Sequence, residues 1–190
     1  MRARILDEPP VSGSIPEVAF TTHGPPVTWV EFEREDGDRW AGVFPSGDDG
    51  HPERVVPFPT DPDAAFVIAH GIVFVVDVAT RTLRYDAGSS LAHDVIAVPG
   101  QDLLLACDSR YVTAYASRGK GPLWRRYVAL DGMTLAGATA GVLTGYVEED
   151  VTENESPVTV WRAFTLHLAD RRVDYGEVVP EKVARAGRAG

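Results

Sequence analysis

The histidines, the lone cysteine and two acidic clusters are the side chains here that could do acid–base, nucleophilic or metal chemistry, and their spacing limits what is open. A metal site legible in sequence holds its donors at short fixed intervals, such as two histidines four residues apart. His23, His51, His70, His93 and His167 have no such interval, so no metal ligands are assigned. His167 lies between Leu166 and Leu168, which expects its ring on the solvated face of a strand. The nucleophile pattern G-x-S-x-G is absent, and Gly88-Ser89-Ser90 reads as a loop before a strand. Cys107 closes the apolar run LLLAC, the setting of a buried inert thiol. No catalytic residue follows from these patterns.

Glu31, Glu33, Glu35, Asp36 and Asp38 alternate or cluster along one stretch, and Glu148, Glu149, Asp150, Glu153 and Glu155 form a second. Paired carboxylates do acid–base work only where burial drives their pKa values apart. The first group reads as a solvated strand face and the second as an exposed loop interrupting a meander. Neither Asp36-Gly37-Asp38 nor Asp48-Asp49-Gly50 has calcium-loop spacing. No glycine-rich loop links a strand to a helix, so no cofactor is assigned. His70, His93 and Asp108 share a position near strand ends, which makes them the candidates for a ligand site.

One stretch combines bases with aromatics as a nucleic-acid contact requires: WRRYVALDGMTL, residues 124–135. Strand alternation sends Arg125 and Arg126 to opposite faces, so they cannot fork around one phosphate. Asp131-Gly132 suits a two-residue turn with positive φ, which predicts a hairpin returning through Met133-Thr134-Leu135. Trp124 is then its core anchor. Arg126, on the same face, requires an edge position or a buried carboxylate.

The elements around these residues are strands. Period-two patterning fills the chain, and a helical signal occurs only in the tail EKVARAG. Asp36-Gly37 predicts a hairpin with Trp29 and Trp40 in its arms. Five prolines within 45–63 predict a long surface connection. The runs 65–70, 72–78 and 82–86 form a meander, 94–100, 102–108 and 111–117 a second, and residues 133–178 an irregular third. Gly71, Gly100 and Gly141 punctuate them at equivalent places. The run IVFVVDV, apolar except for Asp77, implies a strand buried on both faces.

VFVVDVATRTLRYD at 73–86, with LLLACDSRYVTAYA at 103–116 and FTLHLADRRVDYG at 164–176, resembles the inner strands of quinoprotein-type β-propeller blades. The overall order is also similar to small uncharacterised bacterial β-meander proteins. The likeness covers residues 64–178 and rests on structural turns, so it transfers no functional residue. The chain supplies about three such units, below the four to eight blades of a closed ring.

With 190 residues, 44% hydrophobic and 24% charged, the chain has the composition of one globular domain. A net charge of −10 argues against nucleic acid and anionic membrane as partners, both of which attract basic surfaces. Nothing at MRARILDEPP reads as a secretory leader, and with a single cysteine the expected location is cytoplasmic. The expected fold is all-β, consecutive antiparallel meanders in a partial-propeller-like stack or layered sandwich, with little helix. Residues 1–15 are expected as an arm, 16–180 as one β domain and 181–190 as a flexible tail. The functional expectation is a non-catalytic interaction module that neutralises or scaffolds a protein with a basic surface. The alternative is a small-ligand binder or enzyme with a site at the strand ends.

Overall fold

A computed structural model describes every residue except 12, 21–26, 48–49, 90, 154–155 and 187–190. His23, Asp48, Asp49 and Glu155 therefore lie outside the described residues. The chain is all-β, with sixteen strands and a single helix of six residues among those described.

The strands form four sheets of four. The first contains β1 (Arg2–Leu6), β2 (Glu17–Ala19), β3 (Val27–Glu33) and β4 (Arg39–Pro45), in the order β1-β3-β4-β2. The second runs in sequence through β5 (Arg54–Pro57), β6 (Ala64–Ala69), β7 (Ile72–Asp77) and β8 (Thr82–Ser89). The third comprises β9 (Asp94–Ala97), β10 (Leu104–Cys107), β11 (Tyr111–Tyr115) and β12 (Trp124–Tyr127). The fourth comprises β13 (Asp131–Ala138), β14 (Val142–Glu153), β15 (Ser156–His167) and β16 (Val173–Val179), followed by α1 (Glu181–Ala186). Pairing is antiparallel except between β2 and β4.

Alternation along each strand stacks these sheets. In the second sheet Ala65, Val67, Ala69, Phe74 and Val76 face Val30, Phe32, Trp40 and Phe44 of the first. The opposite face, Phe66, Ile68, Val73 and Val75, meets Leu104, Ala106 and Tyr115 of the third. Both faces are dry, which explains the continuously apolar sequences of β6 and β7. The other face of the third sheet, Leu105, Cys107, Val112 and Ala114, packs on Leu135, Leu143, Phe164 and Leu166 of the fourth. These are the three core clusters, and none joins the fourth sheet to the first among the described residues. The result is an open stack.

Several sequence expectations change. Residues 2–6, expected within an arm, pair with β3 from Arg2↔Glu33 to Leu6↔Trp29. The proline-rich connection contains β5, which pairs from Arg54↔Ile68 to Pro57↔Ala65. As an edge strand it tolerates a proline that a central strand would reject. There are four units rather than three. With β5 counted, Gly71 separates the second and third strands of its sheet, whereas Gly100 and Gly141 separate the first and second of theirs. His70 and Gly71, with φ of 46° and 86°, form the tight β6–β7 turn. The Asp36-Gly37 hairpin forms as expected: Gly37, φ 85°, donates to Arg34 O, and Arg34 N to Asp38 O.

The predicted hairpin at 124–135 does not form. β12 pairs with β11, from Tyr111↔Tyr127 to Ala114↔Trp124, and β13 opens the next sheet. Val128–Leu130 carry the chain between sheets, anchored by the amides of Val128 and Ala129 on Arg110 O. Asp131-Gly132 lies instead at a bulge opposite Glu148, where Gly132 uses its positive φ of 69°. A turn-type dipeptide specifies backbone handedness, and a bulge satisfies that demand as well as a turn does. Trp124 is half-buried against the core between the third and fourth sheets, with the Arg171 guanidinium 5.7 Å from its ring centroid. Arg126 is exposed on the edge strand.

Candidate functional site

The acidic stretch expected as a loop is the projecting part of β14 and β15. Each of these strands is twelve residues long. β13 pairs with β14 only as far as Asp131↔Glu148, and β16 with β15 only as far as Trp161↔Val179. Beyond those points the five pairs from Glu149↔Val160 to Glu153↔Ser156 form a two-stranded ribbon. Neither of its edges is paired among the described residues. A two-stranded ribbon alone is marginal in water; here α1 packs against β15, and the β14 edge presents unpaired amides and carbonyls. Thr159 Oγ1 donates to Asp150 Oδ1 at 2.9 Å, and Arg162 Nε to Glu149 Oε2 at 2.9 Å, bracing the ribbon at its base.

Where the ribbon leaves the sheet a groove of about 550 Å³ opens between β12, β13 and β14. Leu130 at its wall is 77% exposed, and Tyr127 and Tyr175 are 43% and 50% exposed. The Tyr175 hydroxyl donates to Val128 O at 2.6 Å, tying β16 to the crossing segment. Burial raises the Tyr175 phenol above its ordinary pKa, with smaller contributions from Tyr127 and Glu149. It therefore remains a donor at neutral pH. Asp131, Glu148, Glu149 and Asp150 rim the groove. Only Glu149 among these has a cationic partner among the described residues.

His70, His93 and Asp108 do not share a cleft. His70 Nδ1 donates to His51 O at 2.8 Å and its Nε2 lies 3.3 Å from Glu53 Oε1. His70 therefore fastens the segment before β5 to the β6–β7 turn, while Thr28 Oγ1, donating to the same carboxylate oxygen, ties that segment to the first sheet. His93 Nε2 lies 2.8 Å from Met133 O and 3.5 Å from the buried Cys107 sulfur. A carbonyl only accepts, so Nε2 carries the proton in that bond. That nitrogen cannot also take the Cys107 proton, and the contact is not a nucleophile–base pair. Asp108 Oδ1 accepts from the amides of Arg110 and Tyr111, both at 2.7 Å, and Oδ2 from Arg125 at 2.7 Å. It shapes the β10–β11 turn. No group of three or more His, Cys, Asp or Glu able to hold a metal occurs among the described residues.

A further polar cluster gathers around Arg84 of β8. Arg84 Nη2 and Nε reach Asp77 Oδ2 at 2.6 and 3.0 Å, while Nη1 donates to Asp61 Oδ2 at 2.8 Å and Ser117 O at 3.0 Å. Burial acts to raise the pKa values of both aspartates. Arg84 and backbone amides outweigh it, leaving both below the ordinary carboxylate value. This cluster joins the second and third sheets. It is a staple, not a reaction centre.

Local sequence pattern does not reveal the groove or the ribbon, because the groove's residues are distant in sequence and the ribbon's carry the charge density of a loop. One local signal existed: VEEDVT and PVTVW flank a short gap, and both keep strand-forming residues. No protein-family model matches the chain, and no curated protein matches it in sequence.

Proposed function

We propose that the chain is an interaction module that captures a basic, partly apolar segment of another protein between the projecting ribbon and its adjoining groove. The observation that carries this reading is the ribbon, five strand pairs held outside the stack with the β14 edge unpaired, α1 against β15, and carboxylates at its base. An added strand would satisfy the open edge of β14, as in β-augmentation. Its lysines or arginines would meet Asp131, Glu148 and Asp150, and its apolar residues would cover Leu130, Tyr127 and Tyr175. The net charge of −10 favours such a partner through steering. Binding of this kind would neutralise or scaffold the partner without chemistry.

The test compares proteins recovered from the native cells at low salt by the intact chain and by Leu130→Asp and Glu148→Lys variants. A partner retained by the intact chain, lost from both variants and carrying a basic segment protected on binding is expected. Equal recovery by all three would overturn the reading.

A further inference from the structure

A second cleft, about 580 Å³, lies between the second and third sheets on the side of their later strands. Its walls are Tyr85 from β8 and Tyr111 and Tyr115 from β11, and its floor includes the small side chains of Ala87, Ala92 and Ala106. Tyr115 is held by Phe66, ring centroids 5.0 Å apart, and faces Tyr85 at 6.0 Å. Two positive side chains line the same space. Arg125 lies with its guanidinium 3.8 Å from the Tyr111 ring centroid and one nitrogen on Asp108. Arg110, on the adjoining turn, has no ion-pair partner among the described residues.

The charge here is opposite to that of the chain. Asp108 is the only carboxylate in the lining, and its oxygens are already taken by Arg125 and two backbone amides. Two arginines against one aspartate leave a single net positive charge, on a protein whose total is −10. Aromatic walls with a small-residue floor suit a flat apolar body. Arginine with its remaining N–H donors, rather than a carboxylate, sets the sign of the head group.

We propose that this cleft binds a small aromatic anion, its ring against Tyr85 and Tyr115 and its carboxylate or phosphate on Arg110 and Arg125. Burial raises the phenol pKa of Tyr115 and, together with Asp86, that of Tyr85. Both hydroxyls thus stay protonated at neutral pH. Arg125 comes preset by Asp108 and Tyr111, which lowers the ordering cost of binding. The site is separate from the groove at β12–β14 and shares no lining residue with it.

Isothermal titration of the full chain with benzoate, phenyl phosphate, inorganic phosphate and benzamide tests it. At least one aromatic anion should bind saturably at millimolar concentration, with the preferred head group identifying the ligand source. Benzamide, lacking the charge, and inorganic phosphate, lacking the ring, should each bind about tenfold more weakly or not at all. Arg110→Gln should weaken the anion about tenfold while leaving the melting temperature of the ligand-free chain unchanged. Tyr115→Phe should weaken it several-fold, and Leu130→Asp should leave it unaffected. Absence of saturable binding by both aromatic anions, equal binding of benzamide, or an unaltered affinity in Arg110→Gln would overturn the proposal.

Discussion

The second and fourth sheets share one topology, four antiparallel strands in sequence order, but they meet water differently. The second has a neighbour on each face, and its two central strands are six residues long and almost wholly buried. The fourth has a stacked neighbour on one face only, and its two central strands run to twelve residues, the last five pairs beyond the stack. Burial on both sides leaves a strand no room for polar residues or for extra length. Release from one side permits both. The buried central unit and the unit that projects into solvent are therefore variants of one topology.

The sharpest way to break that contrast is within the second sheet. Phe74→Ala removes a fully buried ring at the junction with the first sheet and should cost about 3–5 kcal/mol by urea denaturation. A cost near that of a surface substitution would mean that the first interface is not a true core.

Next comes Arg84→Met, which leaves Asp61 and Asp77 without their shared cation and should cost about 2–3 kcal/mol at neutral pH. Both aspartates are depressed in the folded state, so the unfolded chain binds more protons as the pH falls. Their contribution is present above pH of about 4 and disappears as the pH drops through the folded values. Stability of the native chain should fall in that acid window, and the Met variant should fall less. Parallel pH profiles for the two chains would contradict the staple assignment.

At the base of the ribbon, Gly132→Ala should cost about 1–2 kcal/mol. The residue has φ of 69°, and a Cβ there would come within 2.6 Å of the Glu148 carboxylate. Chemical denaturation supplies the number, and a change under half of it would place the bulge among tolerant positions. The smallest effect on folding is expected from Leu130→Asp, within about 0.5 kcal/mol, because the side chain is already in water. Large destabilisation by this variant would make Leu130 structural and remove it from the groove surface.

Much of this architecture is legible in the residues. IVFVVD declares a strand dry on both faces, and Asp36-Gly37 a hairpin, because both depend on local periodicity and backbone handedness. The edge strands were harder. β5 hides among prolines and β12 among arginines, since an edge strand needs neither continuous apolarity nor a full ladder. Missing β5 shifts the count of strands in its sheet. The candidate site was legible only in pieces: Glu148, Glu149 and Asp150 stand out as charge, but nothing local indicates that Leu130 and Tyr175 join them.

By itself, the sequence determined the class of fold, the dryness of the central strands and the acidic character of the surface, because composition and alternation act residue by residue. Tertiary structure decided which strands share a sheet, how many sheets stack and where the stack stops. It sent Arg125 to Asp108 and Tyr111, and exposed Arg126 on the edge strand. It also made Asp131-Gly132 a bulge between sheets rather than the turn of a hairpin. Those outcomes depend on pairing between distant segments, where the competing arrangements have the same local propensity and differ only in what they bury.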